Sequence, residues 1–156
     1  MKLVYSLFCR DVEAQLAFYQ GLLKLPEATH SRSPIFRGLL GPGFLLGLHA
    51  PPAYGLLGLA GRAGEARNAP VTSYATFELP TPADVDRLAQ LASALGGRVV
   101  QGPFPTYYGQ WQAVLADPEG HVLRLACTRL PEGVSAPVLD WSDPTLAACP
   151  GTPPST

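Results

Sequence analysis

The chain has 156 residues, 47% hydrophobic and 15% charged, with a net charge of −1 and a pI near 6.3. Such a chain suffices for one ordinary globular domain or two small halves sharing a core, and it lacks the basic footprint of a nucleic-acid binder. No apolar run free of Gly, Pro or charge reaches membrane-spanning length, and Cys9, Cys127 and Cys149 are too few and too scattered for a disulfide framework or a zinc knuckle.

Met1-Lys2 leads directly into a strand with no signal-peptide pattern, so the cytoplasm is the expected compartment. Lys2 to Cys9 alternates faces as a strand does. Asp11 is placed to cap a helix that runs to about Lys24, with Val12, Leu16, Tyr19 and Leu23 at helical spacing and Pro26 as its stop. Gly21 weakens that helix by up to about 1 kcal/mol relative to Ala. Strands are expected at Glu27 to His30, Ile35 to Leu40 and Phe44 to His49, separated by Ser33-Pro34 and Gly41-Pro42-Gly43, which makes residues 1–50 a βαβββ module.

Residues 51–72 break the pattern with Pro51-Pro52, several glycines and a possible helical turn around Tyr54 to Leu59; a connection of this length is expected to be a linker or lid. A second βαβββ module spans residues 73–128. Ser73 to Leu79 is its first strand, and Thr81, Pro82 and Asp84 open a helix whose apolar stripe is Val85, Leu88, Ala92 and Leu95. Gly96-Gly97 end that helix, and Arg98 to Phe104 is the next strand. Asp11-Val12-Glu13 and Asp84-Val85-Asp86 open the two helices alike. The module closes on a hairpin in which Trp111 to Ala116 and His121 to Ala126 are joined by Asp117-Pro118-Glu119-Gly120, a turn specified by Asp at its first position, Pro at its second and Gly at its end. Residues 129–156 form a Pro-rich extension in which Val138, Leu139 and Trp141 are expected to pack on the body or on a partner subunit.

The doubled βαβββ order, together with the hairpin YYGQWQAVLADPEGHVLRLA, resembles the vicinal-oxygen-chelate superfamily of glyoxalase I, extradiol dioxygenases and bleomycin- and fosfomycin-resistance proteins. The resemblance implies an α+β fold of cupped mixed sheets, one cup per module, with the paired cups enclosing one site. It also implies a metal held by His, Gln or Glu near the start of each module's first strand and by Glu on each last strand. Those positions fall on Val4, Tyr74, Gly47 and Arg124. Val and Gly supply no ligand, Tyr is a poor one at neutral pH, and Arg brings a fixed positive charge, so neither metal nor other cofactor is expected.

Strand alternation from these positions turns Ser6, Phe8, Thr76 and Glu78 into the cup and leaves Leu7, Phe77, Leu123 and Leu125 against the helices. With His49, Tyr74, Tyr107, Tyr108 and Arg124 they make an apolar and aromatic ligand site carrying a few polar groups. Arg124 either pairs with Glu78 as a structural ion pair or is left to take an anion. No role is assigned to His30 or His121. No nucleophile elbow, phosphate loop, CxxC or HExxH is present.

Three functions fit these residues. The first is a metal-independent, drug-sequestering type of binding protein for a small aromatic or anionic molecule. The second is a lyase, isomerase or dioxygenase that is metal-dependent or uses Glu78 or His49 as a base. The third is an accessory domain with a vestigial pocket. A homodimer is the expected assembly, because unpaired strand edges invite partners.

Overall fold

The computed structural model describes residues 2–67, 70–140 and 142. Trp141, Cys149 and the tail prolines from Pro144 onward lie outside them. The chain folds into strands β1 (Leu3–Phe8), β2 (Phe36–Gly41), β3 (Phe44–His49), β4 (Ala75–Glu78), β5 (Arg98–Pro105), β6 (Trp111–Ala116) and β7 (Val122–Cys127), with helices α1 (Val12–Leu23), α2 (Ala53–Leu56) and α3 (Pro82–Ala94). The first sheet has the order β1-β3-β2 and the second β4-β7-β6-β5. In each, the first and last strands of the module run parallel and the remaining pairs antiparallel, so the modules share one topology.

The first module carries one strand fewer than its sequence predicts. Residues 26–28 do begin to pair with β2, through Leu40 N–H to Pro26 O at 2.9 Å and Ala28 N–H to Gly38 O at 2.7 Å. The chain then turns into a 3₁₀ segment at Thr29–Ser31, where the N–H and hydroxyl of Ser31 both bond Ala28 O. Local hydrogen bonding, with the Thr29 N–H on Glu27 O and both Ser31 donors on Ala28 O, takes backbone groups that a longer ladder needs. In the second module β5 pairs fully with β6 but slips register on either side of Gln101, next to Gly102-Pro103.

The helix starts form as their sequences dictate. Asp11 accepts the Ala14 N–H at 3.0 Å, and Thr81 Oγ1 accepts the Asp84 N–H at 3.1 Å. Both helices press on one core that joins the modules, in which Leu22, Leu48, Leu115 and Leu125 are fully buried. Burying each side chain contributes about 1.5–3 kcal/mol. Gly21 marks a close approach of α1 to the end of α3: a Cβ there would lie 2.9 Å from Leu95 Cδ1. Cys9 and Cys127 are buried, and burial pushes the Cys9 thiol up to about 12, which makes it inert.

Residues 51–72 hold α2 and a 3₁₀ segment at Ala60–Arg67. In the extension Val138 stands exposed instead of packing, while Leu139 is partly covered. Among the described residues no helix is long and apolar enough to cross a membrane.

Candidate binding site

The strand registers place the two modules in correspondence. Ser6 pairs with Gly47 across β1 and β3, and Thr76 pairs with Arg124 across β4 and β7. Alternation then divides each sheet. Leu7, Leu123 and Leu125 are buried against the helices and Phe77 packs on the same core, while Ser6, Thr76, Glu78 and Tyr74 stand exposed on the opposite faces.

On the second module's open face Arg124 is the centre of a neutral hydrogen-bond set. Its Nε donates to Thr76 Oγ1 at 3.0 Å, and its Nη1 donates to Tyr108 Oη at 3.1 Å and to Gln112 Oε1 at 3.3 Å. Tyr108 Oη in turn donates to Gln112 Oε1 at 3.1 Å. The guanidinium carbon lies 5.4 Å from the centre of the Tyr74 ring, within cation–π range. Among the described residues no carboxylate pairs with Arg124. Glu78, the partner anticipated as one alternative, lies opposite Ala126 one pleat further on, exposed and without a hydrogen bond or ion pair. Tyr107 packs edge-on to Tyr108, with ring centres 4.8 Å apart.

The first module's face is aromatic instead. His49 lies between Phe36 and Phe8, with ring centres at 4.9 and 5.8 Å, and Phe8 stacks on Tyr54 of α2 at 3.8 Å. Burial lowers the His49 pKa, so the ring is held neutral. A Cβ built on Gly47 would come within 2.6 Å of Ser6 Oγ and 2.9 Å of the Phe36 ring. The space that a carboxylate at position 47 needs is thus filled.

The metal implied by the resemblance does not fit these residues. Its positions carry Val4, Gly47, Tyr74 and Arg124, with Phe36 closing one side and a guanidinium the other. Among the described residues no three His, Cys, Asp or Glu side chains lie together as ligands.

A cavity of about 600 Å³ opens where the modules meet, between β1 and the start of β7, and Tyr54, Leu59, Arg62, Glu65 and residues 70–73 from the connecting segment cover it. Ser6 and Phe8 line it; Tyr74, Thr76, Glu78, Tyr107, Tyr108 and Arg124 do not. The anticipated residues therefore separate: Ser6 and Phe8 lie at the seam, His49 packs beside Phe8 outside the cavity lining, and the other six belong to the second module.

Beside that cavity stands a cluster that sequence reasoning missed. His121 Nδ1 is 2.7 Å from Asp117 Oδ2 and its Nε2 is 3.0 Å from Phe8 O. Tyr19 Oη donates to the same Asp117 oxygen at 3.0 Å, and Asp117 Oδ1 accepts the N–H groups of Glu119 and His121, each at 2.9 Å. The Glu119 carboxylate accepts the N–H groups of Arg10 and Asp11, both at 2.8 Å, just ahead of α1. The DPEG turn of one module thus staples the strand-to-helix junction of the other. Burial alone would lower the His121 pKa, but the bonded Asp117 carboxylate outweighs it and raises the value; burial would raise Asp117, and its His121 and Tyr19 bonds bring it down. Asp at the turn's first position is the signal in the sequence; the Tyr19 hydroxyl that also donates to it comes from 98 residues away.

A βαββ unit and a βαβββ unit of matching topology define an α+β protein of the glyoxalase type. The sequence pattern of the Glyoxalase/Bleomycin resistance protein/Dioxygenase superfamily matches residues 3–125, and the chain belongs to that superfamily. It is 36% identical to a glyoxalase/bleomycin resistance protein/dioxygenase family enzyme from Burkholderia phytofirmans PsJN, with a TM-score of 0.75 covering 80% of this chain and 96% of that one. The fold is also shared with a lactoylglutathione lyase from Agrobacterium tumefaciens at 18% identity (TM-score 0.58, 81% of this chain and 92% of that one). A fosfomycin resistance protein from Mesorhizobium loti shares it at 17% identity (TM-score 0.60, 83% and 92%). No curated protein matches the sequence.

Proposed function

We propose that this protein is a metal-independent binding protein that holds a small aromatic or anionic molecule on the open faces of its sheets. The observation that carries this reading is Arg124, which occupies a superfamily metal-ligand position as a cation fixed by Thr76, Tyr108 and Gln112 and paired with no carboxylate among the described residues. A general-base role draws less support from Glu78, which stands apart, and from His49, which packs between rings without a side-chain hydrogen bond.

A second copy of the chain completes the site in this proposal. Val4, Tyr74, Tyr107 and Tyr108 are each about half exposed and Leu3 more so, and β1 and β4 are sheet edges. Native mass spectrometry of protein purified without chelator tests both statements. A metal-free dimer carrying an organic adduct that disappears in Arg124→Ala is the expected result. A stoichiometric divalent ion would overturn the metal-independent reading.

A further inference from the structure

We infer that the ligand of the second module's face is a planar monoanion, an arenecarboxylate in chemical class, held by the outer edge of the Arg124 guanidinium. This rests on the binding-protein reading and narrows it. Three features select the class. Nε and Nη1 are already committed to Thr76, Tyr108 and Gln112, whereas Nη2 has no partner among the described residues. The guanidinium is therefore fixed in orientation, and the two N–H groups of Nη2 remain to donate to the oxygens of an anion.

All three fixing groups are neutral acceptors, so Arg124 keeps its full charge toward a ligand. The charge is also single. Neither Lys nor a second Arg enters the set, and Glu78 stands exposed two residues along β4 from Thr76 on the same face. A second negative charge, as on a phosphate monoester, would find no second cation in this set, whereas a monoanion is matched by Arg124 alone. The third feature is the surround. Tyr74 lies against the guanidinium, and Tyr107 and Tyr108 meet edge to face beside it, each ring about half exposed. Such rings offer stacking area to a flat aryl group attached to the carboxylate.

The test is calorimetric titration of the intact protein with benzoate, benzamide and phenyl phosphate, repeated on Arg124→Gln and Arg124→Lys. Thermal melts and native mass spectra establish that each variant keeps its fold and assembly. Benzoate is expected to bind saturably and benzamide not at all. Loss of one charge-assisted contact should weaken benzoate roughly tenfold to a hundredfold in Arg124→Gln. Arg124→Lys should recover part of that loss, because it restores charge without the fixed guanidinium. Benzamide binding as well as benzoate would overturn the anion class, and tighter phenyl phosphate would overturn the monoanion. Benzoate affinity unchanged in Arg124→Gln would overturn the site. If no probe binds the wild type the arenecarboxylate inference fails, while an organic adduct in the native mass spectrum would leave the broader binding reading standing. Absence of both would remove the two together.

Discussion

The two modules share one topology but differ in strand count and in the side chains on their open faces. Ser6 opposite Gly47 and Thr76 opposite Arg124 occupy one register, yet the first pair is roofed by Phe36 and the second is a hydrogen-bonded cation. Topology repeats because it is enforced on the helix side, where leucines of both sheets share one core. The open faces carry no such constraint, since a side chain there contributes little to folding and is free to vary. What differs between the modules is therefore the better guide to function, and what joins them the better guide to stability.

The largest effect should come from breaking the joint. Asp117→Ala removes the acceptor shared by Tyr19, His121 and two backbone N–H groups, and leaves those donors in a buried site. A loss of about 3 kcal/mol is expected, read as a fall in the urea midpoint. A loss near zero would show that the staple is not what holds the modules together.

The contrast between the faces gives the next effect. Restoring a carboxylate by Gly47→Glu forces the new Cβ against Ser6 and the Phe36 ring, and overpacking of this kind costs about 1–3 kcal/mol. Arg124→Glu, at the equivalent but open position, should cost roughly 1 kcal/mol or less, because the side chain is partly exposed. Equal losses in the two variants, measured by the same denaturation, would contradict the asymmetry.

How far the sequence carried this picture follows from where each signal is stored. Helix starts at Asp11 and Thr81, the Asp117 turn and the burial of Leu7, Leu123 and Leu125 are local or periodic features, and all are present in the fold. The strand at Glu27 to His30 failed because the Thr29 N–H bonds Glu27 O and Ser31 bonds Ala28 O, a local competition that the apolar pattern does not report. For the candidate site the sequence offers residue types but not their grouping. Nothing local separates Ser6 and Phe8, at the seam, from Thr76 and Arg124, on the far face. Gln112 and His121 were missed because their partners, Arg124 and Phe8, are brought to them only by strand pairing and module packing.

A smaller, pH-dependent effect sharpens the same division. Both His121 ring nitrogens face acceptors, and neutral imidazole can donate from only one of them. The folded pKa is raised above the ordinary 6.5, so the stabilisation is fully present below about pH 6.5 and is lost as pH rises through the folded value. Asp117 behaves oppositely: its depressed pKa gives stability that is present above the ordinary 3.8 and lost as pH falls through the folded value. Urea midpoints should therefore decline on both the acid and the alkaline side. His121→Asn should flatten the alkaline limb and leave the charge on Arg124 untouched. An alkaline limb identical in that variant would assign the decline to another group.

The smallest expected change probes the close approach beneath the two faces. Gly21→Ala gains about 1 kcal/mol of helix propensity. Its new Cβ lies 2.9 Å from Leu95 Cδ1, the end of a flexible side chain that can turn aside, so the steric cost is of the same order as the gain. The midpoint should therefore shift by less than about 1 kcal/mol. A loss well beyond that would mean that Leu95 has no second rotamer, and that the helical layers are as tightly specified as the staple. The freedom to vary would then lie wholly on the open faces, where Arg124 and Gly47 already differ.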